Sequence, residues 1–120
     1  AAEIIVFVYP TWWGGLPAQL KGWLERVMLP GTAFVFNENN KVRPGLRNIR
    51  RIHIASTFGS PWLYVRFVND NGRRILARAF RMNTSWRTKV STSSLYAMDT
   101  ATDESRKSFL LSLQKKMENI

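Results

Sequence analysis

The sequence predicts an α/β fold, a parallel sheet with helices in three layers. Three observations predict it. Apolar, β-branched runs of strand length alternate with stretches of helical spacing, in the order strand–helix–strand–helix–strand–helix. The first of these runs, residues 4–9 (IIVFVY), is unbroken, as suits a strand buried on both faces. Loops rich in glycine, proline and aromatic residues follow the first two strands directly, where open α/β sheets bind their ligands.

Residues 10–15 (PTWWGG) break the first strand. Gly14 and Gly15 allow a tight turn, Trp12 and Trp13 offer flat faces for stacking, and amides between a strand end and a helix start are free to donate. A flat, heteroatom-rich ring fits that set. So does a surface turn whose tryptophans pack on neighbouring helices, and these residues alone leave both readings open. From Leu16 the spacing turns helical. Leu16, Leu20, Trp23, Leu24 and Val27 form one stripe, Lys21, Glu25 and Arg26 lie off it, and Pro17 occupies the first turn, where its missing N–H is no loss. Residues 31–48 read as a hairpin-like excursion: Phe34-Val35-Phe36, a polar turn over 37–40, then Pro44-Gly45. Residues 49–56 form the second core strand, with Ile52, Ile54 and Ala55 buried. His53, the single histidine, can make neither a metal site nor a triad alone and reads as structural. The second loop, residues 56–62 (STFGSPW), leaves the same strand end. Residues 71–82 form an amphipathic helix with Arg73, Arg74, Arg78 and Arg81 on one face and Ile75, Leu76, Ala79 and Phe80 on the other. The basic face reads as solvated, or as an anion contact. Residues 89–96 form the last strand. Residues 103–117 form the closing helix, capped by Thr102, with Asp103 and Glu104 suiting its N-terminus and Phe109, Leu110, Leu113 and Met117 as its core stripe.

Composition sets limits. The 120 residues suffice for one domain, and 45% are hydrophobic, which argues against disorder. The absence of cysteine excludes disulfides and thiolate chemistry and fits a cytoplasmic protein. No apolar run reaches the roughly 20 residues of a membrane span. A net charge of +10 admits an anionic partner, but no basic run interleaves with aromatics and no nucleic-acid motif is present.

The stretch Tyr9-Pro10-Thr11-Trp12-Trp13-Gly14-Gly15-Leu16-Pro17-Ala18, continuing Leu20-Lys21-Gly22-Trp23-Leu24-Glu25-Arg26-Val27, resembles the signature of the flavodoxin-like NAD(P)H:quinone oxidoreductases, the DT-diaphorase-type flavoenzymes and their bacterial relatives. The resemblance implies that Pro10, Thr11, Trp12, Trp13 and Gly14 lie along the ring of a flavin, with main-chain amides near its reactive edge. Some members carry an aromatic where Gly14 stands. The second loop resembles the family's Thr-Thr-Gly-Gly loop, whose amides bond the pyrimidine end of the flavin. That assigns Thr57, Phe58, Gly59 and Ser60 to the same cradle, with Phe58 departing from the motif. In this register Tyr64 falls on the family's catalytic tyrosine, and Asp70 stands where the family has the partnering histidine. Trp13 and Tyr64 are the candidates for the substrate wall.

The resemblance thus implies a flavin cofactor (FAD or FMN), NAD(P)H as co-substrate, ping-pong hydride transfer and a quinone-like acceptor. It also implies a homodimer with shared sites, and the apolar segment Trp62, Leu63, Tyr64, Phe67, Val68 suits such a contact. It covers the later part of the family fold. Residues 1–120 are expected to be the C-terminal part of one flavodoxin-like domain, without its first two strands and helices, and weak in flavin binding alone for want of the phosphate loop. A non-catalytic interaction or regulatory subunit of the same fold is the alternative, separable by quinone turnover. A basic nucleic-acid-binding domain is a lesser one, separable by flavin release.

Overall fold

The computed structural model describes residues 2–120. Its centre is a parallel sheet of three strands, β1 (Ile4–Pro10), β4 (Arg51–Thr57) and β5 (Lys89–Leu95), in the order β1-β4-β5. The register runs Ile5↔Ile52↔Val90 at one end to Pro10↔Thr57↔Leu95 at the other. The remaining strands, β2 (Phe34–Phe36) and β3 (Val42–Pro44), pair antiparallel as the expected hairpin. Asn37 closes its turn, accepting from the amides of Asn39 and Lys41 at 2.9 Å each.

One sheet face carries the core. Phe7 and Tyr9 of β1 and Ile52 and Ile54 of β4 meet Leu24 of α1 (Ala18–Val27) and Leu76 and Phe80 of a third helical segment. Phe7 packs edge-on against Phe80, ring centroids 5.1 Å apart. The third segment begins as α3 (Asn71–Arg74), widens into a π-helical stretch (Ile75–Phe80) and ends in a 3₁₀ turn (Arg81–Asn83). Arg81 of that turn clamps the following loop, its guanidinium donating to the Thr88 and Trp86 carbonyls. Between β4 and α3 lies α2 (Trp62–Phe67), a six-residue helix that the aromatic pattern did not announce.

The opposite face corrects the expectation of a first strand buried on both sides. Val6 and Val8 are 40% and 74% exposed. The closing helix α4 (Asp103–Glu118) lies against β5, where Lys116 Nζ donates to the Thr92 carbonyl and the Ser93 hydroxyl, and it leaves Val6 and Val8 of β1 exposed. The helix starts as expected, with the Thr102 side chain accepting from the Ser105 amide at 3.1 Å. Its inward stripe is Phe109, Leu113 and Met117, a strict four-residue spacing. Leu110 lies a quarter-turn away and is exposed, as is Ala79 on the third segment. No described helix is long and apolar enough to cross a membrane.

Candidate functional site

Because β1, β4 and β5 run parallel, the loops that follow them leave one edge of the sheet. They are stitched together there. The Thr11 amide donates to the Thr57 carbonyl (2.8 Å), so the two loops singled out in the sequence lie side by side. A third loop, residues 96–100, joins them: Phe58 N–H donates to Leu95 O, Met98 N–H to Phe58 O and Ala97 N–H to Ser60 O, at 2.8–2.9 Å. The Phe58 ring is buried and stacked on Tyr96, centroids 4.8 Å apart, which fixes the second loop from beneath.

The first loop closes on itself. Trp12 and Gly15 exchange amide–carbonyl hydrogen bonds (3.3 and 3.1 Å), and the two residues between them have positive φ, 52° at Trp13 and 70° at Gly14. This is the pattern of a type I′ turn. Gly14 adopts it freely, whereas a tryptophan in the left-handed region stores on the order of 1 kcal/mol. Packing does not compensate that strain, for the Trp13 side chain is wholly exposed. The turn holds the ring out at the rim of a cleft.

That cleft has a volume of about 500 Å³, within the range of small-molecule sites. Of the residues assigned from the sequence, Thr11, Trp13, Gly14, Phe58, Gly59, Ser60 and Tyr64 line it. Pro10, Trp12 and Thr57 do not. Thr57 spends its carbonyl on Thr11, and Trp12 is a corner of the turn outside the lining. The amides divide likewise. Those of Thr11, Trp12, Gly15 and Phe58 are committed to the loops themselves, while among the described residues those of Trp13, Gly14, Gly59 and Ser60 make no hydrogen bond. Val65, Val68, Asp70 and Asn71 complete the lining. Asp70 was noticed in the sequence and Val68 only as part of a contact surface; the one-turn spacing of Val65 and Val68 is the signal that could have brought Val65 in, and nothing in the sequence pointed to Asn71.

Electrostatics converge on Asp70. It is nearly buried and left-handed (φ 45°), following a left-handed Asn69 (φ 73°). Its carboxylate accepts from Arg73 Nε at 2.9 Å, so it is held by an arginine and makes no bond with Tyr64, whose side chain is half exposed. Beneath, the Tyr9 hydroxyl is pushed up to about 12, first by burial and then by the Asp70 carboxylate, with the nearby Ser56 hydroxyl and Arg73 opposing. Neither the Tyr9 nor the Ser56 hydroxyl makes a hydrogen bond among the described residues, although both are buried. His53 lies on the far face, its ring nitrogens 2.7 and 3.0 Å from the Ser91 and Ser93 hydroxyls. Burial, and then Lys116, lower its pKa, so it is a neutral, satisfied histidine away from the cleft.

A family model describing the flavodoxin-like fold matches residues 1–108. The chain belongs to this family. Over 64 residues it is 36% identical to NAD(P)H dehydrogenase [quinone] 1 of Rattus norvegicus, a match covering 53% of this chain and 23% of the rat protein. Over 59 residues it is 37% identical to the FMN-dependent NADH:quinone oxidoreductase of a Bradyrhizobium strain, covering 49% of this chain and 28% of that one. The crystal structure of Smu.1420 from Streptococcus mutans superposes with a TM-score of 0.84 at 24% identity, over 99% of this chain and 61% of the other. The matched stretches thus span about a quarter of the two curated relatives, and the chain spans about three-fifths of the solved one.

Proposed function

We propose that this chain carries the ring-binding side of a flavin-dependent NAD(P)H oxidoreductase that passes two electrons to quinones or similar acceptors. The observation that carries the reading is the cleft at the carboxyl edge, with pairs of uncommitted amides on two stitched loops and aromatic walls at its rim. A planar ring with carbonyl and nitrogen atoms at its edges fits those donors, and relatives bearing quinone reductase names share the family. A flavin (FAD or FMN) held there would supply two-electron hydride chemistry between the nicotinamide and the acceptor.

The chain's own residues bind, orient and shield. The Trp13, Gly14, Gly59 and Ser60 amides would hold the ring, since they are the donors the two loops leave free. Donors already fixed in place stabilise negative charge without reorganising. Trp13 and Tyr64 wall the face that nicotinamide and acceptor occupy in turn, a ping-pong order, and the Tyr64 hydroxyl offers a hydrogen bond to the acceptor oxygen. Asp70, neutralised by Arg73, keeps the floor polar without placing a free negative charge against the ring. The exposed aromatics of α2 form the contact of a homodimer, and the protein works in the cytoplasm.

The test, in a protein that joins this chain to the phosphate loop of the fold, is steady-state reduction of a benzoquinone by NADH and NADPH, with release of yellow flavin on denaturation. Trp13→Gly relieves the turn and removes the wall. It should lower kcat/KM at least tenfold while leaving stability unchanged or raised by about 1 kcal/mol. Colourless protein without turnover, or a Trp13→Gly variant with undiminished kcat/KM, overturns the reading.

A further inference from the structure

A second cavity, of about 380 Å³, opens on the other side of the α2–α3 junction and shares Val65 and Asp70 with the cleft. Its character is different. Three arginines, Arg66, Arg73 and Arg74, border it against the single carboxylate of Asp70. Asp70 is already bound to Arg73, so the charges of Arg66 and Arg74 are left over. Arg66 is exposed, and its guanidinium carbon lies over the Trp62 ring, 5.4 Å from the ring centre. Arg74 Nε is buried and, among the described residues, makes no hydrogen bond, and no carboxylate lies within ion-pair distance of the side chain. The Thr92 and Ser94 side chains of β5 line the same basin.

A cationic donor withdrawn from water and left unpaired is costly, and buried donors of this kind ordinarily have partners. The partner that suits planar guanidinium forks together with hydroxyl donors is a tetrahedral oxyanion. We propose that this basin is a phosphate subsite, occupied by the phosphate monoester of a nucleotide or by inorganic phosphate. The site stands on Arg66, Arg74 and the two hydroxyls. Its nucleotide form rests on the function proposed above: the wall common to both cavities then puts a phosphate of the nicotinamide donor within reach of Arg74, and selects the 2′-phosphorylated donor.

Calorimetric titration at low ionic strength with inorganic phosphate, 5′-AMP and 2′,5′-ADP tests the site, in the protein as it stands and in Arg74→Gln. Saturable phosphate binding is expected, weakened at least about tenfold in the variant, which loses a charge-assisted bond. The melting temperature should not fall, because the substitution removes an unpaired buried donor. Arg66→Gln, at an exposed position, is the second variant and should weaken binding likewise. Tighter binding of 2′,5′-ADP than of 5′-AMP, lost in Arg74→Gln, assigns the site to a nucleotide. Equal binding of all three, again lost in the variant, assigns it to free phosphate. No binding, or binding that neither variant changes, overturns the proposal. A protein that binds phosphate through Arg74 but reduces no quinone keeps this site and loses the function above.

Discussion

Replacing Tyr9 by phenylalanine should stabilise the protein, and by more at alkaline pH than at neutral pH. The ring is 5% exposed and its hydroxyl is sealed from water without a hydrogen bond. Leaving such a group unpaired costs about 1–3 kcal/mol, and phenylalanine keeps the ring contacts while deleting the group. At pH 7 the expected gain is about 1 kcal/mol. The pH dependence follows from the same burial. The folded-state pKa is about 12 against 10.0 for the free side chain, raised by desolvation and then by Asp70. For a raised pKa, the stability linked to the proton is fully present below pH 10.0 and is lost as pH rises through about 12. Two units correspond to roughly 2–3 kcal/mol. Urea denaturation of both proteins between pH 7 and 12 reads this directly, since ionisations common to both cancel in the difference. The stability difference should be flat to pH 10 and then widen in favour of Tyr9→Phe. A variant more than 1 kcal/mol less stable at pH 7, or a difference that stays flat to pH 12, refutes the reasoning.

Two further predictions concern the scaffold. Gly45→Ala should destabilise by about 2 kcal/mol or more: its Cβ would collide with the Thr32 carbonyl oxygen and stand 2.8 Å from the buried Ala33 carbonyl carbon, and a lowered urea midpoint at unchanged slope is the expected readout. His53, whose pKa is lowered from 6.5 chiefly by burial and then by Lys116, contributes stability that is fully present above pH 6.5 and lost as pH falls through its depressed folded value. Denaturation midpoints between pH 8 and 5 should be level above pH 6.5 and decline below it, and an unchanged midpoint down to pH 5 would contradict the assignment.

What was legible in the sequence was what local pattern decides. Ile52 and Ile54, Phe7 and Tyr9, and Leu20 and Leu24 carry the periods of strand and helix, so the order of elements and the parallel sheet followed from them. The loops at the carboxyl edge followed in turn, because a loop directly after a parallel strand has nowhere else to go. Burial of the second face of β1 was not legible. Val6 and Val8 suit a strand by shape, but whether a strand is covered depends on what lies over it, and no property of a valine reports that. Leu110 failed for a smaller reason: one residue along a helix is a rotation of about 100°, enough to move a leucine out of contact.

The site divides along the same line. Glycines, aromatics and strand ends announced which segments meet. They could not announce which amides stay free, because that is decided by the hydrogen bonds the loops make among themselves. The type I′ turn consumes the Trp12 and Gly15 amides, and the stitch to Thr57 consumes that of Thr11. On this loop the amides of Trp13 and Gly14, the two residues of positive φ, are left without a partner among the described residues. The strain at Trp13 and the donors at the cleft therefore have one origin. The conformation that closes the turn leaves the Trp13 and Gly14 amides without a partner among the described residues, and it leaves the Trp13 ring exposed at the cleft. A substitution that relaxes the turn should loosen donors and wall together, whereas Tyr64→Phe, on a separate helix, should leave ring binding intact and affect the acceptor alone.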